Sequence, residues 1–153
     1  MTSGESGLSA GEVGTIQILW VAFVLSVVAV VFDVRSRQIP DSLSVCLLGL
    51  ALVATGFHLH SVNWLSLVLG MVLGFGSGLI LFRMGGFGGG DVKLLASLGA
   101  VLGVRDELTV MFYVALAGGV LALLALLRGQ REYAYGPAIA LGLLSFILKG
   151  YWR

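Results

Sequence analysis

The chain has 153 residues, of which 58% are hydrophobic and only 11% are charged. An ordinary soluble domain is about 25% charged, so this composition excludes a soluble globular protein and favours one that uses lipid as its solvent. The formal net charge of +1 and the lack of a basic cluster exclude a nucleic-acid partner.

The first fourteen residues carry two glutamates and neither lysine nor arginine. A secretory signal begins with positive charge, so we interpret residues 1–14 as a short flexible tail outside the membrane. Residues 15–153 are expected to form a single polytopic membrane domain.

Six apolar stretches follow this tail. A helix needs about 20 apolar residues to cross a bilayer, and a lone strand cannot satisfy its backbone hydrogen bonds in lipid. We therefore predict an all-α membrane protein with about six transmembrane helices. The predicted spans are residues 15–33, 42–58, 62–83, 92–104, 107–127 and 137–152, of which the fourth is short.

Basic residues predict the orientation of these spans, because cytoplasmic loops are enriched in arginine and lysine. One set of connections holds Arg35, Arg37, Arg83, Arg128 and Arg131, with Lys93 nearby. The other side holds only Arg105, Lys149 and Arg153. Both termini are then expected to face outward. The three tryptophans, Trp20, Trp64 and Trp152, would lie near the outer interface, as in an aromatic belt.

Several small or polar residues inside this framework have ordinary interpretations. Gly70, Gly74 and Gly78 recur at four-residue spacing, as do Gly99 and Gly103, which predicts close helix packing, with a hinge as the alternative. The single cysteine, Cys46, is predicted to be a small buried packing residue. His58 and His60 are predicted to be loop residues at the outer interface.

Two aspartates flank the connection between the first two spans. Asp41 follows Pro40 and precedes the second span, so we interpret it as a helix N-cap. Asp33 ends the first span, where the negative end of the helix dipole disfavours an anion. It either joins a surface ion cluster with the nearby arginines or has a functional role.

A third aspartate follows a glycine-rich stretch, "GGFGGGDVKLL", residues 85–95. If the short fourth helix begins at Asp91 and ends near Val104, it rises about 20 Å, which is less than the roughly 30 Å hydrocarbon core. Asp91 and the glycine-rich loop would then lie at membrane depth. Irregular backbone and ionisable groups occur there mainly around a cavity or functional site, so the sequence predicts a wet pocket open to the cytoplasm. The alternative is that Asp91 only caps its helix.

Three segments resemble the type IV prepilin peptidases, the bacterial branch of the GxGD intramembrane aspartyl proteases. They are "DVRSRQIPD" (33–41), "GGFGGGDVKLLASLGAVLG" (85–103) and "YGPAIALG" (135–142). The resemblance implies that Asp33 and Asp91 are the catalytic pair and that no metal or cofactor is required. The other positions that match the family's motifs are Gly88, Gly90, Lys93, Gly136 and Pro137.

The same resemblance implies a substrate and a location. The substrate would be a prepilin with a short basic leader, a small residue before the cut and a hydrophobic helix after it, processed at the cytoplasmic face of the bacterial inner membrane. Larger family members carry an additional domain with paired CxxC motifs, which is associated with N-methylation. This sequence has one cysteine and looks like the compact peptidases of Flp-type, tight-adherence pili.

The sequence leaves alternatives for Lys93, for Gly136 with Pro137, and for the function of the whole chain. Lys93 either supports the Asp91 anion, contacts substrate or extends to the membrane surface. Gly136 and Pro137 either shape the pocket or simply start a helix. A proton-coupled transporter or channel would use the two acids as relay groups, and a non-catalytic assembly factor would not need them.

Overall fold

A computed structural model of the chain describes residues 10–36, 40–83, 88–127 and 136–151, and their regular structure is entirely helical. The helices are α1 (Ala10–Ser36), α2 (Asp41–Gly56), α3 (Trp64–Arg83), α4 (Gly89–Leu127) and α5 (Gly136–Tyr151). The all-α prediction is confirmed for these residues. Helix α1 includes the last five residues of the predicted tail, 10–14, and residues 1–9 lie outside the described part of the chain.

Three helical segments are long and apolar enough to cross a membrane: Val13–Asp33, Trp64–Arg83 and Gly89–Leu127. Asp41–Gly56 and Pro137–Gly150 are apolar but shorter. These segments support a multi-pass membrane protein. The count of six spans and the outward position of both termini stay predictions. Several residues used for the orientation, Arg37, Arg128, Arg131, Trp152 and Arg153, lie outside the described residues.

Helix α4 contains a sharp break at Gly103, whose φ of 73° and ψ of 170° are not helical. A side chain would strain the backbone at this φ, which explains a glycine here. The chain doubles back at the break. In a straight helix, residues 99 and 107 would lie about 12 Å apart along the axis, yet the Glu107 carboxyl carbon is 3.3 Å from the position of a Cβ at Gly99. We call residues 89–102 the first arm of α4 and residues 104–127 its second arm. The break falls where the sequence predicts the end of the short fourth helix.

Two side chains of α3 and its entry loop help to fix these helix ends. The Asn63 side chain accepts a hydrogen bond from the Ser66 backbone N–H at 2.8 Å, which caps α3. The Ser66 hydroxyl in turn accepts the Val104 backbone N–H at 3.2 Å, at the start of the second arm. The break in α4 is therefore tied directly to the beginning of α3.

The prediction that Asp41 caps α2 is wrong. Pro40 is the residue before the helix, with an extended backbone, and no side chain caps that end. The Pro40 carbonyl accepts the Leu43 N–H at 3.1 Å. Asp41 is the first helical residue, and its carboxylate binds Lys93 instead.

Helix α4 contacts each of the other four helices, and most of its first arm is buried. Leu94, Leu95 and Leu98 are fully or almost fully buried and form the core with Leu47, Ile139 and Leu143. Large apolar side chains are also exposed on all five helices. Such a surface suits lipid rather than water.

We call Gly70, Gly74 and Gly78 of α3 the glycine ladder. Its predicted close packing is confirmed. A Cβ at Gly70 would meet the Gly99 carbonyl, one at Gly74 would meet the Leu95 carbonyl, and one at Gly78 would lie 3.1 Å from the Val92 Cα. Helix α3 therefore packs its glycines directly onto the first arm of α4, as small residues allow helices to do in membranes.

One prediction of side-chain burial is wrong. Cys46 is exposed on α2 rather than buried. His60 lies in the loop between α2 and α3, as expected, but it is buried, whereas His58 in the same loop is exposed. The loop folds back over the bundle at His60.

Candidate active site

Asp33 lies three residues before the end of α1 and is only 8% exposed. A carboxyl group here meets the negative end of the helix dipole, which makes a buried acid costly at this position. Its burial argues against an acid that serves only a solvated surface cluster with Arg35, which is itself exposed.

Asp91 lies in the first turn of α4 and is 4% exposed. Its Oδ2 accepts a hydrogen bond from the Gly88 backbone N–H at 2.9 Å. This bond holds the side chain against the start of its own helix, in the manner of an acid reaching back to the cap. Its Oδ1 is buried and has no hydrogen-bond partner among the described residues. Asp91 thus does help to cap its helix, as the alternative interpretation holds, but half of its carboxyl group is left for another partner.

The fold brings these two acids together. Asp33 lies close enough to Asp91 for its charge to act on that carboxyl group, although 58 positions separate them in the sequence. The end of α1 and the start of α4 therefore share one acidic site.

The motif glycines lie at the start of α4. Gly88 immediately precedes the helix and donates its N–H to Asp91, and Gly90 is its second residue. A Cβ at Gly88 would lie 3.4 Å from Asp91 Oδ2, an ordinary contact, so a side chain there fits. Residues 84–87 lie outside the described part of the chain, and the depth of the predicted loop stays a prediction.

Lys93 binds Asp41, not Asp91. Its Nζ donates to both oxygens of the Asp41 carboxylate at 2.7 and 2.8 Å. The two side chains are 54% and 69% exposed. The bond joins the start of α2 to the start of α4 on the open side of the bundle. A contact of Lys93 with substrate stays a prediction.

A groove of about 340 Å³ opens beside this ion pair, between α2, α3 and the first arm of α4. Apart from Asp41, Lys93 and two serines, its lining is apolar: Val45, Leu48, Met71, Phe75 and Ala96. The two buried aspartates do not line it.

Gly136 and Pro137 begin α5. This location agrees with the interpretation of a simple helix start, where proline is well tolerated. A role for the two residues in shaping the site stays a prediction.

Glu107 is the ionisable residue that sequence reasoning missed. Glu107 has no role in the sequence-based predictions and is only the first residue of the predicted span 107–127, yet its side chain is completely buried near the break in α4. A signal was available in its spacing. Residues 107, 110, 114 and 118 are all buried on the second arm, and their steps of three and four place them on one helix face.

With this geometry in view, comparison with known proteins identifies the class. The model of the type IV leader peptidase family matches residues 20–123, more than half of the chain. The matched range contains both buried aspartates. The chain belongs to this family.

Individual relatives agree. The prepilin leader peptidase/N-methyltransferase of Neisseria gonorrhoeae is 33% identical over 131 residues, which cover 80% of this chain and 44% of the relative. The proteins of the same name from Bacillus subtilis (strain 168) and Escherichia coli (strain K12) are 31% and 32% identical, over 82% and 87% of this chain and 53% and 61% of the relatives. The chain thus spans about half the length of the curated relatives it matches. No solved structure matches it.

Proposed function

We propose that this protein is an aspartyl endopeptidase that removes the leader peptide from type IV prepilins. The observation that carries the proposal is the convergence of Asp33 and Asp91, two buried acids from distant segments that interact electrostatically. The names of the relatives supply the substrate class, since each is called a prepilin leader peptidase.

The chemistry needs one water molecule and two carboxyl groups in opposite protonation states. One carboxylate accepts a proton from the water as the water oxygen attacks the scissile carbonyl carbon, and the other carboxylic acid protonates the leaving amine. The products are a new carboxyl terminus on the leader and a new amino terminus on the pilin. The mechanism therefore requires that the two carboxyl groups hold one proton between them.

The local structure supports these roles. The Gly88 N–H donates to Asp91 Oδ2 and so orients the side chain, while the buried Oδ1 has no hydrogen-bond partner among the described residues. Peptide bonds inside a helix are shielded, so the substrate must be extended where it is cut. Glycines before Asp91 remove side-chain bulk and let a second backbone approach.

We further propose that cleavage takes place at the cytoplasmic face of the inner membrane and that the substrate is a Flp-type prepilin. The basic residues near the ends of α1 and α3 support the cytoplasmic assignment, because Arg35 and Arg83 lie in the last turns of these helices.

The test is co-expression with a Flp-type prepilin, followed by N-terminal sequencing of the pilin. Wild type should yield a pilin that begins directly after the leader, whereas Asp33→Asn and Asp91→Asn should leave the precursor intact. Asp41→Asn is the matched control, because Asp41 is an exposed acid at the same end of the bundle. Cleavage by either active-site variant at the wild-type rate would reject the aspartyl mechanism. Proton flux through wild-type proteoliposomes without cleavage would favour the transporter.

A further inference from the structure

Among the described residues, Glu107 has the most deeply buried acidic or basic side chain. Its side chain has 0% exposure, and neither Oε1 nor Oε2 has a hydrogen-bond partner in the described part of the chain. Ionisable residues within membrane segments are costly and usually have a role. The peptide-cleavage chemistry proposed above does not use this one.

Two glycines face the Glu107 carboxyl group. A Cβ at Gly74 of α3 would lie 3.0 Å from Oε1, and a Cβ at Gly99 on the first arm of α4 would lie 3.3 Å from the carboxyl carbon. The side chain comes from the second arm of α4. It therefore fills the space beside Gly74 and Gly99, which have no side chains, at the point where α3 and both arms of α4 meet.

No described charged group faces this carboxyl group from the helices around it. Arg83, the only charged residue of α3, lies at its far end, nine positions after Gly74. On the first arm, Asp91 and Lys93 lie near the opposite end from Gly99, and Lys93 binds Asp41. On the second arm, Arg105 and Asp106 precede Glu107 but are exposed. An unpaired carboxylate in such a place is far more costly than an uncharged acid.

We propose that Glu107 is a positioning residue for Asp91: as an uncharged carboxylic acid it fills the gap between Gly74 and Gly99 and fixes the first arm of α4 against α3. The positioning role rests on the proposed function, whereas the uncharged state does not. The link to Asp91 is the glycine ladder. Gly74 meets Leu95, and one turn closer to the site Gly78 meets Val92, the residue next to Asp91.

The uncharged state can be tested in the wild-type protein. The chain has four glutamates, so labelling glutamate carboxyl groups with ¹³C shifts the infrared bands of these four residues and leaves every aspartate unchanged. We expect one C=O stretching band of a protonated acid to shift with the label at pH 8. The same band should be missing from Glu107→Gln. If all label-sensitive intensity lies in carboxylate bands, the proposal is overturned.

Prepilin cleavage tests the positioning role. Glu107→Gln keeps the shape and the uncharged state, so kcat and KM should stay within roughly twofold of wild type. Glu107→Ala should lower kcat and leave KM nearly unchanged, because the residue sets the position of Asp91 and does not touch substrate. Leu108→Ala is the control for truncation, since Leu108 is 55% exposed. The expected result is that kcat falls in Glu107→Ala but stays near the wild-type value in Glu107→Gln.

The pH profile adds a second readout. Ionisation of Glu107 at alkaline pH should loosen the contact between α3 and the first arm, so wild type should lose activity there while Glu107→Gln keeps it. Equal alkaline profiles would overturn the proposal, as would a glutamine variant as inactive as Asp91→Asn or an alanine variant with wild-type kcat. If wild type leaves prepilin uncut, the proposed function fails instead, and the infrared result still decides the state of Glu107.

Discussion

The break at Gly103 divides helix α4 into two arms, and each arm has a buried acid near its start, shortly after a glycine. Asp91 follows Gly88 by three residues, and Glu107 follows the break at Gly103 by four. The surroundings differ. Asp91 accepts a backbone N–H and lies beside a second acid, whereas Glu107 has no described hydrogen-bond partner and packs against two glycines.

The comparison teaches that local pattern alone does not decide the role of a buried acid. A neighbouring carboxyl group and an oxygen without a described hydrogen-bond partner fit the role proposed for Asp91, the exchange of protons with a water molecule. An apolar gap without counter-charge makes Glu107 suitable only as an uncharged spacer.

The largest effect is expected at the start of the first arm of α4. Asp33→Asn and Asp91→Asn should each lower kcat for prepilin cleavage by about 10²- to 10⁴-fold, the typical contribution of a general acid or base. The double variant should be hardly worse than either single one, because the two groups act as a unit. Cleavage kinetics with purified protein in lipid or detergent provide the measurement. Additive losses would show that the two acids act independently.

A methyl group added to α3 at Gly74 should disturb its packing against Glu107, near the start of the second arm of α4. Gly74→Ala should lower the free energy of unfolding by about 1–3 kcal/mol, because its Cβ would meet the Leu95 backbone and Glu107 Oε1. Gly76→Ala, two residues along the same helix, has nothing within 4 Å and should be neutral or stabilising by up to about 1 kcal/mol. Denaturant or thermal unfolding in detergent compares them. Equal effects at both glycines would mean that α3 is not closely packed at Gly74.

His60 extends the comparison to a buried base in a loop. Burial lowers the pKa of its imidazole below the usual 6.5, against a smaller opposing effect of the Val101 backbone. The unfolded chain then binds the proton more readily, so stability should fall as pH decreases from about 6.5 through the folded pKa. His60→Gln should remove this part of the pH dependence, and His58→Gln should leave it unchanged. Unfolding curves between pH 5 and 8 test it, and an unchanged slope in His60→Gln would contradict it.

The smallest effect is expected at the exposed ion pair. Asp41→Asn removes the partner of Lys93, but both side chains are more than half exposed, so the loss of stability should be at most about 1 kcal/mol. High salt should reduce the difference further. Unfolding of wild type and Asp41→Asn at low and high salt provides the measurement. A loss of several kcal/mol would show that this pair, too, is a structural element of the site.

The sequence predicted the helical class, the close packing of the glycines and the region of the α4 break, whereas the catalytic roles of Asp33 and Asp91 stay predictions. Helix length and four-residue glycine spacing are local properties, so they can be read without the fold. The two aspartates were identified because each is costly where it lies, one at a helix C-terminus and one beside a glycine-rich loop, and because both match a family motif.

Burial was harder to predict. In a membrane protein apolar residues cover the outside as well as the core, so the apolar setting of Cys46 did not reveal that it is exposed. The partner of Asp41 lies 52 positions away, and no local rule predicts that bond. Glu107 stands at the start of the predicted fifth span, next to two charged residues, and its burial depends on gaps in α3 and the first arm that only the fold brings together.

Thiol cross-linking tests most directly whether Asp33 and Asp91 meet. Cys46 is the only cysteine, so Cys46→Ser provides a thiol-free background. In that background, Asp33→Cys with Asp91→Cys should be linked within one chain by a short bifunctional thiol reagent. Asp33→Cys with Leu108→Cys, beyond the break in α4, should not be linked. If both cysteines of the first pair react singly with the reagent and no link forms between them, the account of a shared acidic site is contradicted.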